Sequence, residues 1–245
     1  MKSRFYAFLI HLLLSSLVAV LVMIMVYFVW YPMPLDEATG VTKIFLLLLA
    51  VNIITGPVMT FAVYQPKKWG LKFDLWVIAI LQIAALGYGL STVFAGRPAF
   101  IVFNQDRFDI VRLIDIDSES AKTATLAHNQ TAQTSWLQPR WIAAIAPTDP
   151  KRAEAILFSA AAGGVDWAQS PELYVPLNQV KVQILKKAQP LATLRQLDKK
   201  NLLADTQDSA IKWLPLRGKT KDMVVLINGN SAEIIKIVDI NPWQE

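Results

Sequence analysis

Cysteine is absent from the 245 residues, and histidine occurs only twice, as His11 and His128. Without cysteine, the chain forms no disulfide, no thiolate metal site, no thiol nucleophile and no lipid-modified N-terminus. The two histidines are far apart in the sequence, and no acidic residue lies at metal-ligand spacing from His128. The sequence therefore predicts no metal site and no bound cofactor.

Catalytic motifs are missing as well. None of the serines lies in a GxSxG nucleophile motif. The segment 217–220 (Arg-Gly-Lys-Thr) resembles the end of a phosphate-binding loop, but the position of that motif's first glycine is taken by Lys212 or Trp213. We therefore predict no catalytic residues and no enzyme activity.

Charged residues make up only 18% of the chain, with a net charge of +5. Much of the positive excess lies in short segments beside long apolar runs, and no basic tract with interleaved aromatic residues is present. The composition therefore predicts no nucleic-acid partner. The mean hydropathy of +0.37 instead indicates contact with membrane lipid.

Three apolar runs are long enough to cross a bilayer, which takes about 20 residues. They predict spans at about 5–30, 44–64 and 73–96. The first run is too long for a signal peptide, lacks a small-residue cleavage site and ends in aromatic residues typical of a membrane interface. We therefore expect residues 1–96 to form a three-helix transmembrane anchor.

The basic residues of the short loops predict the orientation of the spans. Lys2 and Arg4 precede the first span, and Lys67, Lys68 and Lys72 lie between the second and third spans. Basic loops stay in the cytoplasm. The N-terminus is therefore expected inside, and residues 97–245 are expected in the periplasm of a bacterial inner membrane.

Residues 97–245 have the composition of a folded domain. Short apolar segments predict strands at 99–104, 108–114, 213–216, 222–227 and 233–240. Helix signals follow Asp149-Pro150 and extend over 176–187 and 190–203. We expect a periplasmic α+β domain with a small, mainly antiparallel sheet.

The spans carry a few polar and helix-perturbing residues, which are the candidate site residues. They are His11 and Ser15 in the first span, Asn52, Gly56 and Pro57 in the second, and Gln82 in the third. Polar groups in a span either join neighbouring helices or face a functional partner. Pro57 is expected to kink its helix, and Gly56 to allow a close approach by another helix. The sequence leaves open whether that helix belongs to this chain or to a client protein. We interpret Asp74 as an N-terminal cap of the third span.

Several segments resemble the type IV pilin accessory protein family (TfpX/TfpZ). The resemblance lies in 1–8 with His11, 29–36, Ala38-Thr-Gly-Val41, Gly56-Pro57, Lys72-Phe-Asp-Leu75, Tyr88-Gly89, 96–104, Asp106-Arg-Phe-Asp109, 213–219, Asp222-Met-Val-Val225 and Pro242-Trp243. It implies a multi-pass inner-membrane protein of pilus-bearing bacteria that promotes pilin stability or fimbrium biogenesis. It also implies a type IV major pilin as partner. The family has no catalytic residues that could be transferred to positions of this chain.

The resemblance suggests a role for the polar residues. Pilins carry an acidic residue near the cytoplasmic start of their single membrane helix, and His11 lies at a comparable depth. We hypothesise that His11, with Ser15 on the same face, receives that carboxyl group, so that the protein acts as an assembly chaperone. An envelope enzyme that modifies pilin, or a membrane sensor with a cytoplasmic partner, is the alternative. The sequence does not predict the oligomeric state.

Overall fold

The computed structural model describes residues 1–204 and 210–243. The chain divides into two compact units. Met1–Pro32 and Val41–Gly96 form the helical unit, and Met33–Gly40 and Arg97–Glu245 form the α+β unit. The segment between the first two long helices is thus part of the α+β unit, although it is far from the rest of that unit in sequence.

The helical unit contains three helices that are long and apolar enough to cross a membrane. Helix α1 (Lys2–Met25) continues as a π-helical segment (Val26–Trp30), α3 covers Val41–Val63 and α4 covers Leu71–Ala95. The prediction of three apolar membrane helices is confirmed, and the ends of these helices differ slightly from the predicted 5–30, 44–64 and 73–96. Most large apolar side chains on these helices are exposed, as expected of surfaces that meet lipid.

Asp74 does not cap α4, so that interpretation was wrong. Gly70 occupies the N-cap position with a φ of 85°, a left-handed conformation that suits glycine. The Asp74 carboxylate instead accepts a hydrogen bond from Lys68 Nζ at 2.6 Å. Its place in the first turn still matches the preference of acidic groups for helix N-termini.

The α+β unit begins with the short helix α2 (Leu35–Thr39). Its strands are β1 (Pro98–Asn104), β2 (Arg107–Arg112), β3 (Arg140–Ala144), β4 (Tyr174–Val175), β5 (Gln189–Pro190), β6 (Ile211–Arg217), β7 (Met223–Asn228) and β8 (Ile234–Val238). Its further helices are α5 (Ser118–Leu126), α6 (Pro150–Ala161), α7 (Lys181–Lys187) and α8 (Leu191–Arg195). The Asp149 carboxylate accepts a hydrogen bond from Lys151 N at 3.0 Å and so caps α6, which confirms the helix start predicted at Asp149-Pro150.

Within the described residues the strands form one sheet of order β4-β3-β1-β2-β6-β7-β8, with β5 also paired to β6. The α+β class and the mainly antiparallel pairing are confirmed. Two pairs are parallel, β1 with β3 and β2 with β6. The β2–β6 pair aligns only Phe108 with Leu216 and Asp109 with Arg217, so a short seam joins the two halves of the sheet.

Helix α8 is shorter than the helix expected over 190–203. Asn201 has a φ of 56°, which no α-helix accommodates, and Asp198 Oδ1 and Oδ2 accept hydrogen bonds from Leu202 N and Leu203 N. Leu191 and Leu203 are nevertheless both buried in one apolar cluster. The apolar spacing therefore reflects burial of a helix followed by a turn rather than one continuous helix.

Candidate functional site: a polar cluster among three helices

Side chains from all three long helices meet in one hydrogen-bonded cluster. His11 Nδ1 lies 2.6 Å from Thr60 Oγ1, and His11 Nε2 lies 2.8 Å from Gln82 Oε1. Gln82 Nε2 donates to Ser15 Oγ at 3.0 Å and to the Asn52 backbone oxygen at 2.9 Å. The cluster thus links α1, α3 and α4 through a single glutamine side chain.

The backbone carbonyl of Asn52 determines how the protons are arranged. A carbonyl oxygen only accepts, so the Gln82 amide nitrogen must face Asn52 and its oxygen must face His11. His11 Nε2 therefore carries a hydrogen and donates it to Gln82 Oε1. In the neutral imidazole, Nδ1 is then the acceptor, and the Thr60 hydroxyl donates to it.

Gly56 makes room for this arrangement. A Cβ atom at Gly56 would lie 2.1 Å from Gln82 Oε1, well inside contact distance. Gly56 and its neighbour Pro57 are both buried, and Pro57 lies inside α3, where it has no N–H for the backbone ladder. The close approach expected at Gly56 is therefore made by a side chain of this chain, Gln82.

Asn52 takes part in an unexpected way. Its side-chain Nδ2 donates to Leu48 O in its own helix at 3.3 Å, and its backbone oxygen is the group that reaches α4 through Gln82. The interhelical bond expected of its amide is therefore made by its main chain. The Asn52 amide nitrogen carries two hydrogens, and the bond to Leu48 O uses one of them.

Thr60 is the cluster residue that was absent from the predicted set. It is buried, with 3% of its surface exposed. Asn52, Gly56 and Thr60 are spaced at four-residue intervals, which places them on one helix face. That spacing was the signal in the sequence that could have identified Thr60.

Two grooves flank the cluster. The first lies between α1 and α4, has a volume of about 200 Å³ and is lined by His11, Leu14, Ser15, Val18, Ala19, Leu49, Asn52, Ala79, Gln82, Ile83 and Leu86. We call it the α1/α4 groove. The second, which we call the α3/α4 groove, also measures about 200 Å³ and includes Gly56. Asn52 and Gln82 line both grooves, so the Gln82 side chain forms the partition between them.

The α1/α4 groove exists because α1 and α4 each pack along α3 but barely against each other. Close packing of α4 on α3 occurs at Gly89, where a Cβ atom would lie 1.7 Å from Leu48 Cδ1. At Gly87, by contrast, nothing lies within 4 Å of the corresponding position. A further cavity of about 550 Å³, lined by Tyr6, His11, Tyr64 and others, extends along the same face of α1.

The α+β unit contains a charge network around the buried carboxylate of Asp109. The Asp109 carboxylate lies 2.9 Å from Arg217 Nε and 3.2 Å from Arg107 Nε, and it accepts a hydrogen bond from Asn104 Nδ2 at 2.9 Å. Burial raises the pKa of Asp109 despite these partners, because desolvation disfavours the charged form. This network lies at the β2–β6 seam, where it joins a side chain of β2 to one of β6.

The segment Met33–Gly40 is attached to the β6–β7 turn of the same unit. Ala38 O accepts a hydrogen bond from Thr220 N at 2.9 Å, and Lys221 Nζ lies 2.6 Å from both Glu37 Oε2 and Asp239 Oδ1. Trp243 Nε1 donates to Asp222 Oδ2 at 2.8 Å, which fastens the C-terminal segment to this turn. Segments from three distant parts of the sequence therefore meet here.

Comparison with known proteins assigns the chain to a family. Residues 1–40, which include His11 and Ser15, match the model of the fimbrial assembly protein FimB family. The fimbrial assembly proteins of Dichelobacter nodosus serogroups I and E1 are each 29% identical over 246 residues, covering 95% of this chain and 89% of theirs.

The protein of D. nodosus serogroups C1 and C2 is 36% identical over 110 residues, covering 44% of this chain and 83% of its own. No solved structure matches the chain. On this similarity, the chain belongs to the FimB family of fimbrial assembly proteins.

Proposed function

We propose that this protein is a non-enzymatic membrane accessory protein that binds a type IV pilin and promotes pilus assembly. Its membership of the fimbrial assembly family supports a role in pilus assembly and an interaction with pilus components. The observation that carries the finer proposal is the α1/α4 groove, which has polar groups from three helices at its floor and apolar walls. Such a groove suits one further transmembrane helix.

The walls of the groove favour a helical client. Leu14, Val18 and Ile83 line it and expose 56%, 43% and 68% of their surfaces. On α1 the lining residues recur at three- and four-residue spacings, the pattern of one helix face. A client helix lying along this face would cover apolar surface and approach the polar floor midway.

The floor offers hydrogen-bond donors to an acidic client residue. The imidazole N–H of His11 and the hydroxyl of Ser15 both adjoin the groove. A carboxyl group in a membrane helix is costly without a partner, and these donors would satisfy it. The pilin helix, which carries an acidic residue near its cytoplasmic start, is the client that we propose for this groove.

The proposed location is the bacterial inner membrane, with the N-terminus in the cytoplasm and the α+β unit in the periplasm. The support for this orientation is the distribution of Lys and Arg, with Lys2 and Arg4 before α1 and three lysines between α3 and α4. In this orientation the α+β unit would share the compartment of the pilin's globular head. We propose that it binds that head.

The test replaces His11 with alanine in the full chain, expressed together with the major pilin of the same bacterium. Leu13→Ala is the matched control, because Leu13 lies at the same depth of α1 and exposes 72% of its surface away from the groove. We expect His11→Ala to reduce pilin co-purification about tenfold or more and to reduce surface pili, whereas Leu13→Ala changes neither. The amount of each variant in the membrane is measured alongside.

Unchanged co-purification with His11→Ala, at normal abundance of the variant, would refute the proposed site. The pilin mass is measured in the same cells and in a strain that lacks the gene. Pili lost at unchanged pilin mass agree with an accessory role. A pilin mass that shifts while pili persist would instead identify an enzyme that modifies pilin.

A further inference from the structure

We propose that Gln82 is an internal substitute for the client's contact group, and that the client displaces the Gln82 amide oxygen from His11 when it binds. This inference rests on the proposed function, because it concerns the same groove. It adds the chemistry that the client must present and the residue of this chain that competes with it.

The resting cluster already satisfies the groups that a client would use. His11 Nε2–H is occupied by Gln82 Oε1 at 2.8 Å, and Ser15 Oγ accepts from Gln82 Nε2 at 3.0 Å. The Gln82 amide, with one acceptor oxygen and one donor nitrogen, has the shape and polarity of a protonated carboxyl group. It therefore occupies the position in which a client carboxyl would sit.

Displacement of this amide defines what the client must bring. The imidazole N–H would lose its acceptor, and an unpaired donor in an apolar surrounding is unfavourable. Only a client group with an acceptor oxygen, such as a carboxyl or a carboxamide, restores the bond. A purely apolar helix would have to leave Gln82 in place and would bind to the groove walls alone.

The displaced amide has a place to go. Gln82 lines the α3/α4 groove as well as the α1/α4 groove, and the α3/α4 groove has a volume of about 200 Å³. Gly56 lies in that second groove, and because it has no side chain the resting Gln82 amide already packs against it, at the edge of the α3/α4 groove. A change of side-chain rotamer therefore moves the amide from one groove towards the other with no change in the backbone.

The experiment measures binding of model transmembrane peptides to the full chain in lipid nanodiscs. The peptides are apolar helices of about 20 residues, identical except for Glu, Gln or Leu at the depth of His11. Gln82→Met keeps nearly the same side-chain size but removes the acceptor. Ile80→Met is the matched control, because Ile80 lies on the same helix outside the described grooves.

We expect Gln82→Met to bind the Glu and Gln peptides about three-fold to twenty-fold more tightly than the natural chain does, the range given by hydrogen bonds between membrane helices. Binding of the Leu peptide and all binding by Ile80→Met should be unchanged. In the natural chain, the magnetic-resonance signal of the Gln82 side-chain amide should shift with the Glu peptide and not with the Leu peptide. This second measurement needs no variant to fold.

The outcomes separate the two proposals. If His11→Ala weakens binding of the Glu peptide but Gln82→Met weakens it too or leaves it unchanged, the groove is the client site and the substitute role of Gln82 is refuted. An amide signal that does not respond to the Glu peptide also refutes it. If His11→Ala leaves binding of all three peptides unchanged, the proposed function of the groove itself is refuted.

Discussion

Replacing Arg217 with methionine should loosen the β2–β6 seam far more than replacing Asp109 with asparagine, although both changes break the same ion pair. Asp109 is buried, with 2% of its surface exposed, whereas the Arg217 side chain is 45% exposed. Loss of Arg217 leaves a carboxylate in the protein interior. Loss of the Asp109 charge leaves a guanidinium that water can reach.

The magnitude follows from the partners that remain. Removing one partner of a buried ion pair costs about 3–5 kcal/mol. Arg107 Nε at 3.2 Å and Asn104 Nδ2 at 2.9 Å still face the carboxylate in Arg217→Met, so we expect the lower end, about 3 kcal/mol. Asp109→Asn removes the buried charge and should cost about 1 kcal/mol, the value of an ordinary hydrogen bond.

Amide hydrogen exchange of the full chain in detergent measures these changes at the seam itself. The amides of Phe108 and Leu216, which are paired across the seam, report on its opening. A loss of about 3 kcal/mol corresponds to exchange on the order of 100-fold faster. The double variant Asp109→Asn/Arg217→Met should exchange more slowly than Arg217→Met alone, because it no longer contains the buried carboxylate that has lost Arg217.

The pH dependence gives an independent check with a definite sign. The folded-state pKa of Asp109 is raised above 3.8, so its cost to stability is fully present above the folded pKa and is relieved as the pH falls through it. Removing Arg217 raises this pKa further, and the deficit of Arg217→Met should therefore be largest at neutral pH and shrink towards pH 4. Equal deficits for Arg217→Met and Asp109→Asn, or a deficit independent of pH, would refute the reasoning.

Two further predictions concern other contacts of the chain. Gly89→Ala should destabilise the packing of α4 on Leu48 of α3 by about 1–3 kcal/mol and lower the melting temperature in detergent. Gly87→Ala is the control and should have little effect, because the space beside Gly87 is open. Equal melting temperatures of the two variants would contradict this packing. Asp239→Asn should cost about 1 kcal/mol or less at neutral pH, because the pKa of Asp239 is lowered by Lys200 and Lys221 against the opposing effect of burial. The difference in unfolding free energy between Asp239→Asn and the natural chain should vanish as the pH falls from 3.8 through the lowered pKa. A difference that persists in stronger acid would show that the two lysines do not stabilise the charged form of Asp239.

The spans and part of the site could be predicted because they depend on local properties. Hydropathy alone locates α1, α3 and α4, and a polar residue in such a span is conspicuous, as His11 and Gln82 are. Thr60 was missed because threonine is common in apolar helices, where its hydroxyl bonds to its own backbone. Only its spacing from Asn52 distinguished it.

The attachment of Met33–Gly40 to the α+β unit could not be predicted from the sequence. It depends on the hydrogen bond between Ala38 O and Thr220 N, which joins residues more than 180 positions apart, and on the Glu37–Lys221 ion pair. Neither contact has a local signature. The parallel pairing of β2 with β6 could not be predicted either. Only two residue pairs define it, and the sequence of each strand fits an antiparallel sheet equally well.

The energetics of the helical unit support the proposal that its polar cluster serves recognition rather than stability. Hydrogen bonds between membrane helices average only about 0.6 kcal/mol, and at Gly89 helix α4 packs closely on Leu48 of α3 through apolar contact. If stability were the only requirement, apolar side chains would be expected to fill the gap between α1 and α4. This chain instead keeps a groove there and places His11, Ser15 and Gln82 at its floor. Polar groups that add little to stability, beside an open groove of apolar walls, fit the site that we propose for an acidic membrane helix.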